Sequence, residues 1–137
     1  EVVGIDRETT MLNEAQQRPD LTNNITFVEG DATSLPMKNA SFDVAMFCLV
    51  LHHIKDTNAA VREASRVLKD GGRVLIIDMQ EHTRKEYKHT MGHIHLGFSE
   101  SDMKTLATSA GLKLLTHHRL RPETASSGPS LFAALLG

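Results

Sequence analysis

The chain has 137 residues, of which 40% are hydrophobic and 23% are charged, and its formal net charge is -2. This length suits one domain with an apolar core, and the near-neutral charge does not indicate a nucleic-acid or membrane surface as a partner. No apolar run approaches the length of a membrane span, and a single cysteine excludes a disulfide framework, so we expect a cytoplasmic protein.

The first half of the chain predicts three strands. Residues 1–5 and 25–29 are short and rich in β-branched side chains, and residues 42–50 are apolar except for Asp43. A continuous apolar run of this kind indicates a strand that is buried on both faces of a parallel sheet. A polar loop is expected at residues 20–24, before the second strand.

Two helices are predicted in the same half. Thr9 or Thr10 can cap a helix that ends before Pro19. The second helix starts at residues 56–58, carries apolar side chains at helical spacing, and ends at the Asp-Gly-Gly sequence of residues 70–72.

The second half predicts one more helix and three strands. The helix has capping-box spacing at residues 99–102 and ends at Gly111. The strands are expected at residues 73–79, 112–120 and 131–136, with a loop at residues 121–130. The alternation βαβ-βαβ-αββ demands a sheet with crossover helices, and the link between the last two strands contains no helix. We therefore predict an α/β sheet that is mostly parallel with an antiparallel last strand.

Two acidic residues lie directly at the ends of predicted strands. Asp6 ends the first strand, and Asp31 follows the second after Gly30. Ligands of open α/β sheets bind outside the carboxyl ends of the strands, where Asp6 could accept from ribose hydroxyls. Asp31 could accept from an exocyclic amine such as that of adenine, while the Ala32 N–H donates to a ring nitrogen. Alternatively, Asp6 is a charge at a helix amino end and Asp31 forms an Asx turn.

Cys48 lies near the end of the third predicted strand, and His52 and His53 follow that strand. Cys48 is interpreted as a small core residue. The two histidines are expected to point to different sides, so that at most one faces the cleft. Since no carboxylate lies at a fixed spacing from them, neither is identified as a base.

Four more histidines, His82, His89, His93 and His95, cluster with Tyr87. Two of them have i, i+4 spacing, which could make a zinc or iron site. Such a site needs three or four converging ligands, and no cysteine joins these histidines, so we expect no metal. A substrate-facing polar segment and a solvated loop are the two remaining interpretations.

Together these segments resemble the class I S-adenosylmethionine (SAM)-dependent methyltransferases of the type 11 or UbiE-like group. VVGID, ITFVEGDATSLP, FDVAMFCLVLHHI and RVLIIDM come in that family's order and approximate spacing. Residues 86–112 are similar to the methyltransferase half of bacterial ArsR-type regulator fusions. The resemblance covers nearly the whole chain and implies a Rossmann-like fold, SAM as the cofactor and a small-molecule methyl acceptor.

The resemblance also implies cofactor-binding roles. Asp6 corresponds to the acid that binds the ribose hydroxyls, with Arg7 beside it. Asp31 corresponds to the acid near the adenine amine, and Ala32 supplies the backbone contact. Cys48 corresponds to a residue that lines the methionine part of SAM.

Candidate catalytic residues follow from the same resemblance. His53 lies where family members approach the transferring methyl group or the substrate. If the reaction needs a base, Tyr87, His89 and His93 are candidates, although positioning alone supplies much of the catalysis in an in-line methyl transfer.

The family's first strand and glycine-rich turn have no counterpart, since no G-x-G-x-G occurs in the sequence. We therefore expect residues 1–137 to be a single, partial domain that is truncated at its amino end and binds SAM weakly. In the family sheet the missing strand lies between strands 2–5 and 42–50. We expect these strands to pair directly; otherwise a neighbouring chain fills the gap by dimerisation or strand exchange, or the chain is a proteolytic fragment.

Two other functions remain open at this stage. One is a SAM- or ligand-sensing effector domain of a transcriptional regulator, without turnover, which would contact nucleic acid only through a domain upstream of Glu1. The other is a metal sensor that uses the histidine cluster and is stabilised by zinc.

Overall fold

The computed structural model describes residues 1–20, 23–122 and 128–137. The strands are β1 (Val2–Asp6), β2 (Ile25–Glu29), β3 (Phe42–Cys48), β4 (Leu68–Met79), β5 (Leu114–Arg119) and β6 (Leu131–Leu136). The helices are α1 (Thr9–Gln16), α2 (Thr57–Val67), α3 (Glu86–Thr90) and α4 (Glu100–Ser109), and a 3-10 turn at Leu51–His53 follows β3. Parts of the predicted loops, residues 21–22 and 123–127, lie outside the described residues. No helix within the described ranges combines the length and apolarity that crossing a bilayer requires.

The strands form two sheets. β1 pairs in parallel with β2, and Asp6 lies opposite Glu29. The second sheet has the order β3-β4-β6-β5, in which β3 and β4 are parallel and β6 is antiparallel to both of its neighbours. The prediction of a mostly parallel α/β sheet with an antiparallel last strand is confirmed.

The expected direct pairing of the first and third strands is wrong. Within the described ranges, β1 pairs only with β2, and β3 pairs only with β4. β3 is held in the second sheet by its parallel ladder with β4, and the loop that joins β2 to β3 is bonded to α2. Each of the two strands therefore has one edge without a partner strand among the described residues.

β3 is also not buried on both faces, contrary to the prediction. Val44 and Met46 are 57% and 62% exposed, whereas Phe47 is buried. Cys48 is exposed as well, so its interpretation as a core residue is wrong. The physical reason is that β3 is an edge strand whose core side chain, Phe47, points to only one face of the sheet.

The core lies between that face, α2 and α4. Asp56 caps α2 by accepting a hydrogen bond from the Ala59 N–H at 2.9 Å. The predicted capping box of α4 is confirmed, because Ser99 and Asp102 each accept from the other's N–H. The largest fully buried side chains are Phe132, Leu51, Ile76, Met103, Leu136, Val61, Val74 and Asp78. This set is apolar except for Asp78.

Apart from shifts of one or two residues at other strand ends, two element boundaries differ from the predictions. α1 begins without a threonine cap, because Thr9 is already helical and its hydroxyl donates to Glu29 Oε2 at 2.7 Å. β4 begins at Leu68, whose ψ of 142° is extended, rather than after the glycines. Residues 69–72 form a bulge, so that the register passes from Leu68 opposite Phe42 to residue 73 opposite residue 44.

An ion pair on α2 holds the loop between β2 and β3. Glu63 Oε1 lies 2.7 Å from Arg66 Nε, and the same guanidinium donates to the carbonyls of Met37 at 2.8 Å and Leu35 at 3.1 Å. Glu63 in turn accepts from the Leu35 N–H at 2.8 Å. The hydrogen bond from Arg66 holds the pKa of Glu63 below its ordinary value. We call this ion pair and its contacts with the loop the clamp of Glu63 and Arg66. Through α2, the clamp connects the first sheet to the second.

We predict that Arg66→Ala lowers the free energy of unfolding by about 1–3 kcal/mol, because two loop carbonyls and a carboxylate lose their donor. The matched control is Arg62→Ala, an exposed arginine on the same helix, which should change stability by less than about 0.5 kcal/mol. Urea denaturation measures both values. Equal effects of the two substitutions would contradict the role of the clamp.

Candidate functional site

The parallel pairing of β1 and β2 brings Asp6 and Asp31 to the same edge of their sheet. The Gly30 N–H donates to the Asp6 carbonyl at 3.0 Å, which joins the two strand ends directly. Hydrogen bonds from Thr33 hold the pKa of Asp31 below its ordinary value, with a smaller contribution from the positive charge of Arg7. The acids and Arg7 therefore share one rim at the carboxyl ends of neighbouring strands.

Each of these carboxylates uses one oxygen locally. Asp6 Oδ1 accepts from the Glu8 N–H at 2.8 Å, at the entry to α1. Asp31 Oδ1 accepts from the Thr33 N–H at 2.7 Å and from its hydroxyl at 2.6 Å, which is the Asx turn considered as an alternative. Within the described ranges Oδ2 of each acid has no partner, so each retains an acceptor for a ligand. Ala32, the next residue along the chain, packs partly against the core.

A second group of polar residues lies at the carboxyl ends of β3 and β4. Asp78, near the end of β4, is fully buried, and its Oδ1 accepts from His52 Nδ1 at 2.7 Å and from the Met79 N–H at 2.7 Å. His52 is only 2% exposed. Sequence reasoning missed this pair. The available signal was the aspartate near the end of the apolar run RVLIIDM, one residue before the end of β4, much as Asp6 ends β1.

Three histidine rings meet beside this pair. The ring centroid of His52 is 4.1 Å from that of His53 and 4.3 Å from that of His93, and the His53 and His93 centroids are 5.1 Å apart. The expectation that His52 and His53 point to different sides is wrong. They lie in a 3-10 turn, where successive side chains differ by about 120° instead of alternating as in a strand.

Hydrogen bonds to the 3-10 turn position the segment that carries His93. The His52 carbonyl accepts from the Ile94 N–H at 2.9 Å and from the His95 N–H at 3.0 Å. His53 Nδ1 lies 3.1 Å from the Gly92 carbonyl. His93 is 5% exposed, and burial lowers its pKa, with a smaller contribution from the neighbouring His52.

The remaining candidates differ in their distance from this cluster. The Tyr87 ring lies edge-on to His93 at 5.3 Å, and its hydroxyl accepts from Arg84 at 3.1 Å. His89 is exposed on α3, and in the described part of the chain its ring contacts no other aromatic ring. Because α3 ends at Thr90, the i, i+4 spacing of His89 and His93 is not realised on one helix. The fold thus brings His93 to His53 and Tyr87 and leaves His89 apart.

The described surface also has an open depression of about 420 Å³ along α4. It is lined by Lys104, Thr105, Thr108 and Ser109. None of these is a candidate site residue.

Comparison with known sequences identifies a protein family that matches this chain and curated proteins that are similar to it. The methyltransferase domain family matches residues 1–76. The demethylmenaquinone methyltransferase of Staphylococcus haemolyticus is 34% identical over 88 residues, which make up 64% of this chain and 37% of that enzyme. The chain thus spans little more than a third of the length of such curated relatives. The family match contains Asp6, Asp31, His52 and His53 and ends before Asp78.

Solved structures share the fold. An S-adenosylmethionine-dependent methyltransferase of Mesorhizobium loti has a TM-score of 0.77 and 18% identity, over 98% of this chain and 78% of that chain. A SAM-dependent methyltransferase of Methanosarcina mazei has a TM-score of 0.76 and 20% identity, over 98% of this chain and 79% of that chain. The expected Rossmann-like methyltransferase fold is confirmed, and the similarity of residues 86–112 to ArsR-type fusions stays a prediction.

We predict that Asp78→Asn lowers the free energy of unfolding by about 1–3 kcal/mol, because an amide group replaces the buried carboxylate that binds His52. Asp43→Asn is the matched control, since Asp43 pairs with Lys69 at 3.0 Å with its side chain 82% exposed. Such a surface pair contributes about 0.5 kcal/mol. Denaturation curves of the two variants measure the free energy of unfolding. If Asp78→Asn lowers it no more than the control does, the prediction is contradicted.

Proposed function

Because the chain belongs to the methyltransferase domain family, we propose that it transfers a methyl group from SAM to a small-molecule acceptor. SAM is the cofactor of this methyltransferase fold, and when bound it supplies a methyl group on a sulfonium that a nucleophile can displace in line. The observation that carries the proposal is the placement of Asp6 and Asp31 at adjacent strand ends, joined by the Gly30 hydrogen bond.

The residues at this rim suit a nucleoside. Asp6 and Asp31 each keep one carboxylate oxygen without a protein partner in the described ranges, and carboxylates are acceptors for hydroxyl and amine donors. In our proposal Asp6 accepts from the ribose hydroxyls and Asp31 from the adenine amine, while the Ala32 N–H donates to the ring. Arg7 lies at this rim, and its charge acts on Asp31. Cys48, the proposed contact to the methionine part of SAM, is exposed at the end of β3 in the other sheet.

His53 is the proposed contact to the acceptor. It follows β3, its side chain is exposed, and its Nδ1 faces the Gly92 carbonyl, which can only accept. Nδ1 therefore carries the proton, and Nε2 presents a lone pair that can orient the acceptor or take its proton. The His93 ring lies 5.1 Å from the His53 ring, and Tyr87 contacts His93 in turn, whereas His89 is a more distant candidate.

The proposal of a small-molecule acceptor rests on the likeness to the Staphylococcus demethylmenaquinone methyltransferase. That likeness favours a small acceptor over a macromolecular one. Quinols, small phenols and other metabolites with a nucleophilic atom all fit this description.

We predict that Asp6→Asn weakens SAM binding by about 10- to 100-fold, the equivalent of one hydrogen bond to a charged group. The asparagine keeps a side-chain oxygen for the Glu8 N–H, so α1 should still form. Asp20→Asn is the control, because Asp20 pairs with Arg18 in the loop before β2, at the opposite edge of the sheet. Calorimetry of the full-length protein measures the affinity, and equal affinities for the two variants refute the assignment of Asp6.

We predict that His53→Ala lowers the rate of methyl transfer at least tenfold while SAM affinity stays unchanged. The control is His118→Ala, an exposed histidine on β5. Labelled SAM and a pool of cellular metabolites provide the assay with the full-length protein. Tight SAM binding without any labelled product would instead favour the sensing function, and loss of SAM affinity in His53→Ala would move this residue to the cofactor site.

A further inference from the structure

We propose that His52, His53 and His93 form a binding site for a Zn²⁺ ion. The site would take a borderline metal on neutral imidazoles, with the fourth coordination position open to water or to an anionic ligand. The site requires neither SAM nor an acceptor, but a bound zinc would occupy the Nε2 of His53 that the methyl-transfer proposal assigns to the acceptor.

The first support is the convergence of the three side chains. One ring nitrogen from each of His52, His53 and His93 lies within 4.8 Å of the corresponding nitrogens of the other two. Nitrogens bound to one tetrahedral zinc at the usual bond length are about 3.4 Å apart. Side-chain rotations that close each gap by up to about 1.4 Å would therefore complete the site. The rings meet at angles of 46°, 52° and 87°, so no two of them stack in parallel.

The second support is the hydrogen bonding behind two of the ligands. His52 Nδ1 is bonded to Asp78 and His53 Nδ1 to the Gly92 carbonyl. Both partners accept the Nδ1 proton, which leaves Nε2 of each ring with its lone pair. Metal-bound histidines show this arrangement, in which a carboxylate or a carbonyl fixes the ring and its tautomer from behind. The buried Asp78 is thus a positioning residue for the proposed site.

The third support is an unsatisfied atom. His93 Nδ1 is buried and has no hydrogen-bond partner in the described part of the chain, and the whole residue is 5% exposed. A buried polar atom without a partner destabilises the folded state, because it has lost its hydration without gaining a hydrogen bond. The ring lies against both other histidines, so coordination of an ion shared with them would remove this destabilisation.

The ligand set explains why the spacing of histidines in the sequence did not indicate a metal. Two ligands follow β3 and the third lies about forty positions later in the segment after β4, so no short motif contains them. His89 and His95, which gave the conventional spacings, are not members. His53 is exposed, which gives an ion a path from solvent.

Calorimetric titration of Zn²⁺ into the full-length, chelator-treated protein tests the proposal. We expect one ion per chain with a dissociation constant in the micromolar range or below. His53→Ala and His93→Ala should each weaken binding at least tenfold, and Asp78→Asn by about 10- to 100-fold. His118→Ala on β5 is the matched control and should bind zinc like the unaltered protein.

His53 is the decisive position, because its side chain is exposed and its removal should leave the fold intact by circular dichroism. X-ray absorption at the zinc edge should then show nitrogen or oxygen ligands at about 2.0–2.1 Å. No saturable binding, equal affinity of His53→Ala and His118→Ala, or sulfur ligation through Cys48 would each overturn the proposal. None of these results depends on methyl transfer, so the two proposals fail separately.

Discussion

The hydrogen bond between Asp78 and His52 is the constraint on which the carboxyl edge of the larger sheet depends. It joins the end of β4 to the turn after β3 in a position that solvent does not reach. The same turn then binds the backbone at residues 94 and 95 through the His52 carbonyl. A buried carboxylate is stable only when its acceptors are satisfied, so this contact leaves the turn little freedom. The position of His93 beside His52 and His53 follows from it.

The site has two halves with different kinds of support. The half around Asp6 and Asp31 lies within the family match at residues 1–76 and occupies the place where ligands bind in open α/β sheets. The half around His93 lies outside that match, and its case rests on geometry alone. β1 and β3 each keep an unpaired edge among the described residues. The clamp of Glu63 and Arg66 links the two sheets through the loop that precedes β3.

Much of the fold could be predicted from the sequence because local signals were strong. Short β-branched runs indicated β1 and β2, and the Ser99–Asp102 spacing indicated the start of α4. The prediction that β3 is buried on both faces was wrong, since a sequence pattern does not show whether a strand lies at the edge of a sheet. The start of β4 was placed too late because the bulge at residues 69–72 contains glycines that also end helices.

The candidate site was predicted only in part, for a related reason. Asp6 and Asp31 could be predicted because each lies at the carboxyl end of a strand, where ligands of open α/β sheets bind. The parallel pairing of the two strands then makes these residues neighbours. The contacts of His52 with Asp78 and of His53 with His93 depend on how distant segments pack, and no spacing along the chain contains them. His52 and His53 were expected to point to different sides, as adjacent side chains do in an extended segment. They lie in a 3-10 turn instead, where their rings meet.

A crystal structure of the full-length protein with SAM tests the central claim most directly, namely that one nucleoside pocket lies at the ends of β1 and β2. The account predicts that both ribose hydroxyls lie within hydrogen-bond distance of the Asp6 carboxylate, about 2.5–3.0 Å. It also predicts that the adenine amine faces Asp31. A nucleoside bound elsewhere, with both carboxylates in contact only with solvent, would contradict it.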